Sequence, residues 1–423
     1  MNETMLAVFE NLSAGVSLAL MGICGIGLLA RLTRVIRGQE TADGMANSYG
    51  NTPGRTLFCV AGMALISRLL LYALAYAMYR LLGVGGGGFL ASFRPLWIHW
   101  DTRHYIGIAQ EGYTAVGDER LRLVFFPLYP LLMRLASPLT GGDVFAAGIV
   151  ISLLCASLSA ALLYDLACMH FGRETAALSV AYFLLSPLSV FLCCAYTEAL
   201  FICLTLAAVC LLRHSRPWLA ALCGMGSALT RMPGVIIAGL MIIALIGRIS
   251  ERRASARDVL ACAGQVALVF AGLAVYWGIN YAVTGDPMTY MTYQRENWFQ
   301  EPGTFWQSTA NTMHYFLTTV GDGDWLFTWG FQLLCMMGIY ALLAFSQRLL
   351  PFDLAAYSFV YVSVVLAPTW LLSGPRYLYA LCALPLLKAR LPMGRRGHAL
   401  ALGMSLVLLV IWVFGYTIAV DVL

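Results

Sequence analysis

Nine stretches of this chain, at about 6–30, 56–84, 143–168, 175–194, 196–213, 259–283, 325–347, 354–372 and 398–420, each run for eighteen residues or more with few charges. A helix needs roughly 20 apolar residues to cross a bilayer. Inside the hydrocarbon layer its backbone N–H and C=O groups must be satisfied within the segment, so helices are the natural solution. Three shorter apolar pieces, near 218–231, 234–247 and 376–388, read as tilted, re-entrant or broken helices. The expectation is an all-α polytopic membrane protein with about twelve crossings. Composition agrees, because charged residues make up 11% of the chain against roughly 25% in soluble proteins. The first apolar segment lacks a basic leader and a small-residue cleavage site, so it is expected to remain as a span.

Charge placement tests the count. With the amino terminus outside, the inner loops collect Arg31, Arg34, Arg37, Arg55, Arg173, Arg213, Arg216, Arg248, Arg252, Arg253, Arg257, Arg348, Lys388, Arg390, Arg395 and Arg396, sixteen of the 26 cations. That asymmetry follows the positive-inside rule. It assigns the basic residues to topology and to lipid contact, not to nucleic acid. Two long outer stretches remain, 85–142 and 284–324, with a short outer turn at 373–376. The twelve cysteines fall mostly in apolar runs, without CxxC pairs or zinc spacing, and read as small packing residues. "GVGGGG" at 83–88 follows no strand, so it is a flexible exit from the second span and not a nucleotide loop.

The outer stretches gather the reactive side chains. "PLWIHWDTRHYIGIAQEGY" (95–113) holds Asp101, Arg103, His104 and Glu111 among aromatics. In a helix beginning at Asp101, the side chains of Asp101, His104, Tyr105 and Ile108 share one face. Trp97 and Trp100 would anchor its start. Asp101 can cap that helix, serve as an acid or base, or do both. "RLRLVFFPLYPLLMRL" (120–135) carries Pro127 and Pro130, which forbid a long helix. It reads as a kinked segment along the membrane surface, either structural or an apolar wall for a lipid chain.

Further along, "YTEAL" (196–200) sets Glu198 at the outer end of a span, a costly place for an unpaired carboxylate. "ALTRMPG" (228–234) puts Arg231 between two half-length helices, where it can hold an anion or pair with a glutamate. "TGDPMTYMTYQRENWFQEP" (284–302) offers Gln294, Arg295, Glu296 and Trp298, a mix suited to sugar hydroxyls and ring faces, or simply to a solvated loop. "GDGDW" (321–325) places Asp322 and Asp324 in a turn-like triplet that a metal ion also accepts. "SGPRYLYALCALPLL" (373–387) stands Arg376 beside Tyr377 and Tyr379, able to fork onto a lipid phosphate or to snorkel to the headgroups.

Taken in order, "WDTRHYIGIAQEGY", "FFPLYPLL", "AYTEALF", "LTRMPGVIIAG" and "SGPRYLYA" resemble the GPI mannosyltransferase II (PIG-V-like) family, over roughly residues 56–390. Trp100–Asp101 with Tyr105, Gly112, Tyr113 and Phe126–Pro127 carry most of the likeness. The resemblance implies a GT-C-type bundle with interfacial helices in the first outer loop. It also implies a polyprenyl-phosphate-linked sugar donor in place of a nucleotide sugar, and an acidic catalytic residue at the position of Asp101.

The expected reaction is an inverting sugar transfer, in all expectation of mannose, to a glycan or glycolipid acceptor at the outer face of the bilayer. Asp101 is the expected base. Arg376, with His104, Arg231 and Arg103, is expected at the donor phosphate; Trp100, Tyr105, Glu198, Gln294 and Trp298 at sugar or acceptor; Phe126, Tyr129 and Tyr377 along the lipid groove. Neither a metal nor another cofactor is required by that scheme. The chain divides on this reading into 1–55, an extra helix and basic loop; 56–283, the catalytic module; and 284–423, the second outer loop and last helices. With no targeting signal in view, a prokaryotic plasma membrane is the expected location. The competing reading is a transporter or flippase of lipid-linked sugar, which also uses broken helices and buried charge.

Overall fold

A computed structural model describes residues 3–44, 52–322 and 325–418. Their regular structure is all helical, with no strand among them. Seven helices are long and apolar enough to cross a membrane: Glu3–Ile36, Gly54–Leu81, Val144–Phe171, Met232–Ser250, Ala256–Thr284, Trp325–Leu349 and Gly394–Thr417. Counting two sharply bent pairs as spans brings the number to nine.

The remaining expected crossings are shorter or broken, for identifiable reasons. Segment 175–194 bends by 76° between Arg173–Leu184 and Pro187–Cys193. Segment 354–372 stops as a helix at Val365, ahead of Pro368. Segment 196–213 is the sixteen-residue helix Glu198–Arg213, and 218–231 ends at Ala228. Segment 376–388 divides into two six-residue helices, Gly374–Tyr379 and Leu384–Ala389. Hydropathy recognises apolar surroundings but cannot tell lipid from protein interior. Several of these pieces lie in the core, where neighbours satisfy the backbone groups that a broken helix frees. Arg68, fully buried on Gly54–Leu81, donates to Ser189 O (2.8 Å) and Leu184 O (2.6 Å), and Tyr72 Oη donates to Cys193 O (2.6 Å). All twelve cysteines are free.

Ion pairs and polar contacts gather at both ends of the bundle. At one end Arg94 meets Asp143 (2.6 Å), His314 meets Glu10 (2.7 Å), and Asn311 Nδ2 donates to Thr369 O (2.5 Å). At the other, Arg213 meets Asp353 (2.7 Å), Arg31 meets Glu40 (2.6 Å), and Arg395 meets Glu174 (3.2 Å). The 28-residue Val144–Phe171 helix joins the two ends, and at 1.5 Å per residue it separates them by roughly 40 Å.

Candidate active site

The first of these ends holds a cavity of about 460 Å³, walled by side chains from Trp100 to Tyr377. Its floor begins with the Asp101–Glu111 helix. Asp101 does not cap that helix, as one sequence reading allowed. Trp100 occupies the cap position, and the Asp101 carboxylate stands in the first turn, where the helix dipole favours negative charge. Trp100 has φ +40° and ψ −119°, a backbone conformation that costs a bulky residue on the order of 1–3 kcal/mol. The turn this creates, closed by Thr102 N–H on His99 O (3.1 Å), starts the helix so that Asp101, His104 and Tyr105 all face the cavity.

Arg376, 275 residues away in sequence, donates from Nη2 to Asp101 Oδ2 at 2.7 Å. Its Nε lies 2.9 Å from Glu198 Oε1, and Arg231 Nη2 lies 3.0 Å from the same oxygen. Neither contact has hydrogen-bond alignment, so Glu198 holds the two guanidiniums by charge. The result is a chain Asp101–Arg376–Glu198–Arg231, two acids and two bases. Arg376 is also boxed by the rings of Tyr196 (5.1 Å), Phe191 (5.5 Å) and Tyr377 (5.7 Å), and Arg231 sits 5.0 Å over Tyr377. Such aromatic boxing favours a desolvated cation. Nη1 of Arg231, and Nε and Nη1 of Arg376, are buried without a hydrogen-bond acceptor among the described residues. Both arginines line the cavity. An unmet charged donor costs more than an ordinary lost hydrogen bond.

Local sequence explains the placement. Arg231 lies in the extended break between Pro217–Ala228 and the turn Met232–Ile236. Gly234 makes that break possible: a Cβ there would sit 2.2 Å from Ser227 C and 2.3 Å from Ala228 N. Leu128 N–H donates to Leu229 O (3.0 Å), tying the proline-kinked segment to the same break. That segment turns through 107° between Asp118–Val124 and Leu128–Thr140. His104 stacks on Phe125 (4.7 Å) and meets the edge of Trp298 (6.5 Å). Burial, opposed by Asp101 and assisted by Arg122 and Arg103, lowers the His104 pKa below its usual value, so at neutral pH it is an uncharged hydrogen-bonding group.

Of the residues singled out in the sequence, Asp101, Arg376, Arg231, His104, Trp100, Tyr105, Gln294, Trp298, Phe126 and Tyr377 all line this one cavity. Three do not. Arg103 is exposed on the far face of its helix. Glu198 is 1% exposed and lies behind the arginines, not on the wall. Tyr129 is fully buried, its hydroxyl bonded to Gly148 O (2.9 Å) and Ser152 Oγ (2.8 Å), and belongs to the core. Missed were Asn297, Gln300, Tyr361 and Trp370. Asn297 and Gln300 share the loop of Gln294 and Trp298, while Pro368 was the available signal that the run ahead of Trp370 leaves the helix. Asp322 lies apart from this cavity, and Asp324 falls outside the described residues. Among the described residues no three His, Cys, Asp or Glu side chains are grouped to share a metal ion.

Comparison with known proteins meets this geometry at its centre. Residues 91–273 match the family model described as mannosyltransferase (PIG-V). GPI alpha-1,6-mannosyltransferase 2 of Mus musculus is 32% identical over 153 residues, and that of Homo sapiens is 32% identical over 154. Each alignment covers 34% of this chain, and the chain spans only 30% of the length of those relatives. These relatives are mammalian, so they lend no support to a prokaryotic plasma membrane. No solved structure matches. The matched segment, less than half of this multi-pass membrane chain, contains Asp101, Glu198 and Arg231 but not Arg376, and is similar to the PIG-V-like mannosyltransferase family.

Proposed function

We propose that the protein transfers a mannosyl group from a polyprenyl-phosphate donor to a hydroxyl of a glycan or glycolipid, in a single inverting displacement at the membrane face that holds the cavity. One observation carries this reading: a carboxylate and two arginines line one cavity that also presents Trp298, Gln294 and other amides. Asp101 accepts the acceptor's proton as its oxygen bonds to the anomeric carbon. The bond from that carbon to the phosphate oxygen breaks, and the electron pair leaves with the phosphate. Charge moves in step, since Asp101 becomes neutral while the lipid phosphate gains one negative charge, next to Arg376 and Arg231. Preorganised cations at that point favour the transition state over the ground state.

The ion pair between Asp101 and Arg376 couples the proposed base to the proposed phosphate-binding cation. A donor phosphate competes for the same guanidinium, and each hydrogen bond it takes from Arg376 releases the Asp101 carboxylate to act as base. Glu198, buried and shared, keeps both cations in place meanwhile. A transporter reading gains nothing from the comparisons, since the relatives are sugar transferases.

The test is transfer in detergent from polyprenyl-phosphate mannose carrying labelled sugar to a panel of glycan and glycolipid acceptors. Labelled product that depends on Asp101 supports the reading. Binding without product, or product only from a nucleotide sugar, overturns it.

A further inference from the structure

The end of the bundle away from the catalytic cavity holds a second, smaller one of about 220 Å³. Its walls include Arg31, Glu40, His170, Phe171, Arg348 and Arg390. At about 30 Å³ per liquid water it has room for roughly seven, which is ample for a phosphate group.

Charge in this pocket does not balance. Arg31 is fully engaged, donating to Gln347 O (2.9 Å) and Leu350 O (3.0 Å) and pairing with Glu40 (2.6 Å). Glu40 is shared with Arg34 (3.1 Å). Behind the pocket Arg213 pairs with Asp353 (2.7 Å) and donates from Nε to His170 Nε2 (3.0 Å), so that nitrogen is an acceptor. Arg348 and Arg390 form no ion pair among the described residues. Counting Asp43, whose charge reaches His170 and Arg213, three carboxylates stand against the five guanidiniums of Arg31, Arg34, Arg213, Arg348 and Arg390. Arg390 lies 4.4 Å over the Phe171 ring, and its buried Nε has no acceptor. The uncompensated, partly buried guanidinium of Arg390 is costly, and the planar fork of arginine matches phosphate oxygens.

The surroundings point to the source of the phosphate. The last turns of the Glu3–Ile36 helix, which supply Arg31, also expose Ile26, Leu29 and Ile36. Basic pockets between transmembrane helices, bordered by apolar surface, suit anionic lipid head groups. We propose that this pocket binds the phosphate of an anionic ligand, in the first place the head group of an anionic phospholipid seated against that helix. The site requires nothing of Asp101 or of sugar transfer.

The full chain, purified in detergent, is offered phosphatidylglycerol or phosphatidylcholine and lipid retention is read by native mass spectrometry. In parallel, thermal shifts are read with inorganic phosphate and with pyrophosphate. Phosphatidylglycerol is expected to be retained preferentially, and R348Q/R390Q to lower its retention about tenfold or more. R395Q/R396Q, which removes two exposed charges outside the pocket, is expected to change it little. If R348Q/R390Q does not fold, R348Q alone, at an exposed side chain, is expected to lower retention about threefold. A shift by phosphate or pyrophosphate that depends on Arg348 and Arg390, without phospholipid preference, assigns the same site to a soluble phosphate ligand. Equal losses from both double variants, or no preference and no shift, overturn the proposal.

Discussion

Two buried arginine–carboxylate clusters sit at opposite ends of this molecule, built from the same residue types and behaving differently. At the inner-assigned end, Asp353 takes Arg213 through both oxygens (Oδ1 at 3.0 Å, Oδ2 at 2.7 Å) and also accepts the Leu354 N–H. Arg213 is further tied to His170. Both side chains of that pair are nearly sealed from solvent. At the cavity end, Asp101 is 24% exposed, Glu198 lacks aligned hydrogen bonds, and Arg231 and Arg376 each keep an unpartnered Nη1. Saturated hydrogen bonding fixes helices to one another. Unsaturated bonding beside an open cavity leaves charged donors at a cost that a purely structural cluster avoids. Burial and charge alone would have scored the two clusters alike; partner count and access distinguish them.

That contrast can be broken most forcefully by paired substitutions. Asp101→Asn is expected to cut sugar transfer by roughly 10²–10⁴-fold with an unchanged melting temperature in detergent; turnover near the wild-type rate would remove Asp101 from the mechanism. Asp353→Ala should do the reverse. It leaves Arg213 buried without its counter-ion, for a loss of about 3–5 kcal/mol in stability, while the folded fraction keeps its turnover. Loss of turnover per folded molecule would show that the sealed cluster is not merely structural.

A smaller effect is expected at Gly234, where an alanine pushes on the backbone of Ser227 and Ala228. Overpacking of this kind costs about 1–3 kcal/mol, and because the displaced turn carries Arg231, the KM for the lipid donor should rise as well. A stability loss with the donor KM unmoved would detach Arg231 from donor binding. The smallest effect concerns pH. The folded-state pKa of His104 is lowered by burial, so the folded protein resists the proton that the unfolded chain accepts. Stability is therefore unaffected well above the ordinary histidine pKa and falls as pH drops through it toward the lowered value. Melting curves between pH 7.5 and about pH 5 should show a larger acid loss for wild type than for His104→Asn; equal losses would place His104 in contact with water.

Much of the cavity was legible because motifs fix local chemistry. The spacing from Asp101 to Tyr105 put three side chains on one helix face, and "TRMPG" marked the break that presents Arg231. Arg103 was misplaced because adjacency in sequence says little about direction: on a helix it points away from Asp101's partner. Tyr129 was misplaced for a related reason, since an aromatic in a kinked, apolar segment faces groove or core according to the neighbour it finds, here Ser152. Seven to nine of the expected crossings are helices long and apolar enough to span, while other apolar runs, such as 187–193, are short and covered by protein.

From its sequence alone the chain determined that it is helical and membrane-embedded, and which residues carry charge into apolar surroundings. Those follow from local terms: the solvation of backbone and side chains, summed along twenty residues at a time. What only the tertiary structure decided is which of those charges meet. The approach of Arg376 to Asp101 across 275 residues, and the retreat of Glu198 behind both arginines, depend on the packing of broken helices, and no local free energy encodes a contact between segments so far apart.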